Sequence, residues 1–251
     1  MLKKITPYLL AAAVAFSPVT YAQQFSEDEL QSITLPLTTQ PPETPICTEE
    51  ICPLPQRTCT SEQETQITSL QLTVSLSKYT LLLEGKDENT QENCTLLEEK
   101  VIVGSKDWKT PVMETIISKA QTYPFWFPTQ KVLEDTKEKD PDLYAAMQFN
   151  EEGRAYMPPG PVNPLGKVKF IIESPYYVFM HGSPFRRFFA AEKRAFSHGC
   201  IRAEDEVQLL KVLSRVAGSE CDEACIDNLI EKKKTKTISF EKPIKIKIVA
   251  E

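Results

Sequence analysis

The chain has 251 residues, of which 41% are hydrophobic and 25% charged, an ordinary balance for a globular protein and not that of a disordered one. Its formal net charge of −6 argues against nucleic acid as a partner, since phosphate contacts need clustered Lys or Arg. The one basic run, Lys232-Lys233-Lys234-Thr235-Lys236, reads as a solvated helix end.

Residues 1–22 read as a secretory signal peptide. Lys3 and Lys4 form the charged start, Leu9 to Phe16 the short apolar core, and Ala22 the small residue before a cut. The core is too short to span a bilayer, and no later run approaches the ~20 apolar residues a span requires. The expectation is therefore a periplasmic protein with no membrane span after cleavage. Cleavage would remove two lysines and leave a net charge of −8.

Residues 23–66 form a Pro-, Thr- and Cys-rich arm, in which Pro36, Pro41, Pro42, Pro45, Pro53 and Pro55 forbid a regular element. An ordered domain is expected over 67–217. A C-terminal helix and strand, 218–251, would pack on it. Leu70, Leu72, Val74 and Leu76 alternate with polar residues as in a half-buried strand. Tyr79 to Glu84 and Cys94 to Val103 read as two more strands, with a turn at Gly85-Lys86-Asp87-Glu88-Asn89. The aromatic, Pro-broken stretch Tyr123 to Pro128 reads as a packed loop over the core. Residues 129–157 are polar and mixed, with a short helix near 140–147 started by Pro141. Pro158 to Gly166 is dense turn chemistry ahead of strands at Lys167–Glu173 and Tyr176–Met180, the second closed by His181. Residues 204–217 show a helical apolar stripe with Asp205 and Gln208 as a capping box. Ser219 to Lys234 reads as a second helix, and Ile244 to Ile248 as a terminal strand.

Seven cysteines are an odd number for an exported chain: Cys47, Cys52, Cys59, Cys94, Cys200, Cys221 and Cys225. If six pair, one remains. Six cysteines allow fifteen pairings, so connectivity stays open. Cys221 and Cys225 lie four apart on an expected helix, within disulfide reach. Cys94 is a candidate for stapling the arm to the domain. A zinc site is the competing use, but the paired C-x₂-C knuckles are missing.

Cys200 has the most unusual surroundings. It lies in Ser197-His198-Gly199-Cys200-Ile201-Arg202, and the chain's two histidines are His198 and His181. A thiol attacks carbonyls as a thiolate and needs a base or cation nearby. Gly199 permits a tight backbone with amides facing an oxyanion, and Arg202 is a candidate for positioning an anionic carboxylate.

His181, fifteen intervening residues and then Ser-His-Gly-Cys-Ile-Arg resemble the signature of the L,D-transpeptidase (YkuD-type) catalytic domain, Gram-negative branch. Val103-Gly104 followed by Thr110-Pro111, Trp126 with Pro128, and Pro159 to Phe170 resemble further elements of that family. The resemblance implies a mainly β (α+β) fold, a β-sandwich with a short covering insertion and C-terminal helices. It implies Cys200 as nucleophile and His181 as base, oriented by the Gly182 carbonyl. The Gly199 and Cys200 amides would form the oxyanion hole, with Ser197, His198 and Arg202 in support. No metal or organic cofactor is implied. The implied substrate is a peptidoglycan tetrapeptide stem, attacked at its third residue for 3→3 crosslinking or for attaching a lipoprotein to the wall. A carbapenem is the implied inhibitor. Two readings compete: an L,D-carboxypeptidase with water as acceptor, and an inactive wall-binding protein.

Overall fold

The computed structural model describes residues 58–251; the signal peptide, most of the arm, Cys47 and Cys52 lie outside the described residues. Strands run in the order Ile67–Ser75 (β1), Thr80–Asp87 (β2), Asn93–Gly104 (β3), Met113–Thr122 (β4), Gln148–Phe149 (β5), Ala155–Tyr156 (β6), Val168–Ile172 (β7), Met180–His181 (β8), Ala195–Ser197 (β9), Ile201–Ala203 (β10) and Lys236–Val249 (β11). Helices are Ser61–Glu64 (α1), Gln130–Lys139 (α2), Pro141–Ala145 (α3), Glu206–Ala217 (α4) and Glu223–Glu231 (α5), with a 3-10 turn at Arg186–Ala190.

Alternation builds the sheet. In β1, Leu70, Leu72 and Val74 point inward, and in β11 so do Ile238, Phe240, Ile244, Ile246 and Ile248, all buried. Pro243 cannot donate to a ladder, and the β4–β11 register slips between Ser239 and Ile244. The sheet order is β10-β8-β7-β4-β11-β1-β2-β3-β9, and β10 also pairs with β3. The expected sandwich is therefore one continuous sheet that curls and closes at β10. Helix α4 packs on β3, β7 and β11, strands from both halves of the curl. It buries Leu209, Leu210, Val212 and Leu213.

Several expectations need correction. The turn after β2 comes later: Gly85, Lys86 and Asp87 remain in the strand, and Asp87 Oδ1 then accepts from the Asn89 and Thr90 amides. The run Tyr176–Met180 is mostly loop, because Tyr177 takes φ 54° and leaves the ladder; Tyr176 and Tyr177 are exposed. The stretch Tyr123–Pro128 is only half packed. Tyr123 is buried, but Phe125 and Phe127 are exposed and stack on each other. The capping box of α4 is half formed. Asp205 accepts from the Gln208 amide, but the Asp205 amide donates to Glu99 Oε2 at 2.6 Å instead of to Gln208. Strand β4 and helix α2 lie in segments whose mixed polarity showed no period.

Two disulfides close on the described residues, Cys59–Cys94 and Cys221–Cys225. The first ties the end of the arm to β3, and the second staples the first turn of α5. Loop-closure entropy grows with the enclosed length, here 35 residues of separation against 4. The chain-entropy account gives about 4 kcal/mol for the first and about 2 kcal/mol for the second. Paired Cys→Ser replacement of Cys59 and Cys94 is expected to lower the urea midpoint by more than the same replacement of Cys221 and Cys225. Equilibrium unfolding of both double variants checks this.

Candidate active site

Three short strands bring the site together. In β7, β8 and β10, Lys169 aligns with His181, and His181 with Arg202. Aligned residues share a sheet face, and alternation turns Phe170, Met180 and Ile201 to the core, where each is fully buried. Lys169, His181 and Arg202 therefore form one row on the opposite face. Cys200 precedes Arg202 by two residues and lies on that face too, beside Phe179, whose carbonyl accepts from the Ile201 amide at 3.0 Å. Cys200 is the one free cysteine among the described residues and is partly accessible.

The His181 ring is 4% exposed, and its Nδ1 lies 2.7 Å from the Gly182 carbonyl oxygen. A carbonyl can only accept, so Nδ1 carries the proton and Nε2 keeps its lone pair. Burial, then the Arg202 charge, hold this imidazole neutral, down to about 3, with Lys169 adding to the effect. Burial raises the Cys200 thiol, while the Phe179 amide, Lys169 and Arg202 draw it down. The Arg202 guanidinium is buried, and its Nε has no hydrogen-bond partner.

The Cys200 loop is fixed from several sides. Gly199 takes φ +100°, a conformation that L side chains rarely adopt. The Thr110 hydroxyl accepts from the Gly104 amide and donates to the Gly199 carbonyl, at 2.8 and 2.9 Å. Ser197 Oγ donates to the Cys200 carbonyl and accepts from the Gly199 amide at 3.2 Å. The Gly199 amide is thus bonded within the loop. His198 is tied to a different element. Its Nε2 bonds Asp135 Oδ2 of α2 at 2.7 Å, and its ring stands edge-on to Trp108.

Gly182 has no space for a side chain, since a Cβ would lie 2.2 Å from the Glu206 carboxyl carbon. That carboxylate, 1% exposed, accepts from the Lys167 amide and from Arg186. It braces the segment whose carbonyl orients His181. Asp135, Lys169, Glu206 and Trp108 escaped the sequence reading. Their roles arise from pairings 20 or more residues distant, or from strand register, which no local pattern signals.

The L,D-transpeptidase catalytic domain family (YkuD) matches residues 70–234. The chain belongs to this family. A Haemophilus influenzae protein named "Putative L,D-transpeptidase" is 30% identical over 148 residues, which is 49% of this chain and 30% of that protein. The match thus spans less than a third of that relative's length. An L,D-transpeptidase from Mycobacterium smegmatis is 12% identical, with a TM-score of 0.36 over 72% of this chain and 59% of that one. L,D-transpeptidase 3 from Mycobacterium tuberculosis, in complex with a faropenem-derived adduct, is 11% identical, with a TM-score of 0.37 over 72% and 60%. Among the described residues, no helix is long and apolar enough to cross a membrane.

His181 also sets a pH dependence. Its folded pKa lies below the ordinary histidine value, so the folded state binds fewer protons than the unfolded state between about 3 and 6.5. This contribution is fully present above pH 6.5 and is lost as pH falls through that window. Glu99, raised to about 7 chiefly by burial, works in the opposite sense between about 4.5 and 7. A comparison with His181→Gln isolates the histidine. The stability of the unsubstituted protein relative to this variant is expected to fall steadily from pH 6.5 to pH 4, measured by urea unfolding at each pH. Gly182→Ala is expected to cost about 1–3 kcal/mol through the clash with Glu206, read in the same assay.

Proposed function

We propose that this protein is a periplasmic, cysteine-dependent L,D-transpeptidase acting on peptidoglycan stem peptides. The observation that carries the reading is a free thiol, Cys200, on the same sheet face as a neutral His181 whose tautomer leaves Nε2 available as a base. Family membership and the signal-peptide pattern of residues 1–22 support it.

In this reading, His181 Nε2 takes the proton from Cys200 Sγ, and the sulfur attacks the carbonyl carbon of the third stem residue, a diaminopimelate. The Cys200 amide donates to the developing oxyanion. Collapse breaks the C–N bond to the terminal D-Ala, whose amine receives the proton from His181. The resulting thioester is attacked by a second stem amine, which passes its proton to His181 as the C–S bond breaks. A lipoprotein lysine would serve as acceptor by the same steps, and water would give a shortened stem instead. Arg202 supports the site by charge, Ser197 and Gly199 by shaping the loop, and His198 by anchoring it to α2. The resemblance also implies acylation of Cys200 by a carbapenem.

Incubation with a purified tetrapeptide stem followed by mass spectrometry reports turnover and product together. The intact protein is expected to release D-Ala and form crosslinked dimers. Cys200→Ala is expected to lose about 10³-fold or more in rate. Undiminished dimer formation by Cys200→Ala would overturn the assignment, and shortened monomers alone would assign water as the acceptor.

A further inference from the structure

The register row Lys169–His181–Arg202 places two cations on either side of a neutral imidazole. Among the described residues, Lys169 and Arg202 form no ion pair, and Arg202 Nε is buried without a partner. Two other basic groups sheltered from solvent do have polar partners. Lys211 pairs with Asp227, and Arg194 donates to the Val101, Ala191 and Tyr79 carbonyls.

The Lys169 ammonium is instead held 3.5 Å over the Phe179 ring. That contact fixes a flexible side chain at a defined place. Phe179 is also the residue against which Cys200 lies. Its carbonyl accepts from the amide of Ile201, the residue next to Cys200. Lys169 shares the sheet face of His181 and Arg202, and its ammonium and the Cys200 thiol influence each other's charge. Burial pushes the Lys169 ammonium below the ordinary lysine range, and the Cys200 charge opposes that push.

We propose that Lys169, with Arg202, is the fixed counter-charge of the Cys200 thiolate, a positioning residue that favours loss of the thiol proton without a resting imidazolium. The inference takes Cys200 to be the nucleophile, as in the function proposed above. Deprotonation breaks the S–H bond and leaves the electron pair on sulfur; in turnover the proton passes to His181 Nε2, and in a thiol-labelling assay to buffer. The charged and titratable groups around the sulfur are Lys169 from β7, His181 from β8 and Arg202 from β10. Beyond them stands His198, already paired with Asp135, which also binds Lys139. Lys169 is the member of this set that can be neutralised without touching the motif.

The test is the pH dependence of Cys200 alkylation by iodoacetamide, in which an S–C bond forms and iodide leaves. It is followed by intact mass on the full chain, with its disulfides retained. In Lys169→Met, which keeps an apolar stem over Phe179, the midpoint of the rate–pH curve is expected to rise by about one unit. The rate at pH 7 is then expected to drop roughly ten-fold. Lys169→Arg is expected to restore both within about three-fold. Lys169→Gln provides a second neutral variant if Lys169→Met fails to fold. An unchanged midpoint in a folded neutral variant would overturn the proposal, whereas a merely structural role for Lys169 would alter melting temperature and leave the midpoint in place. A shifted midpoint in a protein that turns over no stem peptide would uphold the charge assignment and remove the transpeptidase reading instead.

Discussion

The site depends on a three-residue strand with two partners. Strand β10 pairs in parallel with β8 and antiparallel with β3, and so joins the two edges of the curled sheet. Each pairing fixes a different part of the chemistry. The β8 side sets Arg202 opposite His181 and brings Cys200 against Phe179. The β3 side sets Arg202 opposite Ile102, and the end of β3 reaches the Cys200 loop through Gly104 and the Thr110 hydroxyl. A one-residue slip at β10 would turn Ile201 outward and bury Arg202 in the core. Closure of the sheet and orientation of the thiol are thus one constraint.

Around that strand, neutral and charged groups are separated with care. His181 is held neutral by burial and by cations on both sides, and its proton is assigned by a carbonyl that cannot donate. The carbonyl is placed by a glycine packed against the Glu206 carboxylate. Glu206 is in turn satisfied by Arg186 and by the Lys167 amide. Changing that tautomer would therefore require disturbing the packing of Gly182 on Glu206 and the contacts of Glu206 with Arg186 and the Lys167 amide.

Much of this was legible in the sequence because it is periodic or compositional. The alternation of Leu70, Leu72 and Val74 found β1, and the stripe through Val207, Leu210 and Leu213 found α4. The unpaired thiol beside scarce imidazoles led to Cys200 and His181 before any fold was known. Other parts were hidden for stated reasons. Strand β4 packs between β7 and β11, both faces partly covered, and its sequence METIISKAQT mixes polar and apolar residues without a clean period. Asp135 meets His198 across 63 residues of sequence. Lys169 belongs to the site through register alone. The aromatic stretch at Tyr123–Pro128 misled because large rings usually pack, whereas Phe125 and Phe127 face outward.

Strand β11 carries a consequence for the order of events in the making of the protein. It lies between β1 and β4, parallel to one and antiparallel to the other, at the middle of the sheet. The first four strands leave the ribosome long before it does, yet they cannot join across that gap until residues 236–249 have been synthesised. Non-local pairing of this kind makes folding slow, because the long loop must close before any contact rewards it. The thiol, already made by then, waits for its framing strands to become part of a closed sheet. Completion of the central sheet is therefore a late step, governed by β11 and not by the motif that contains the cysteine.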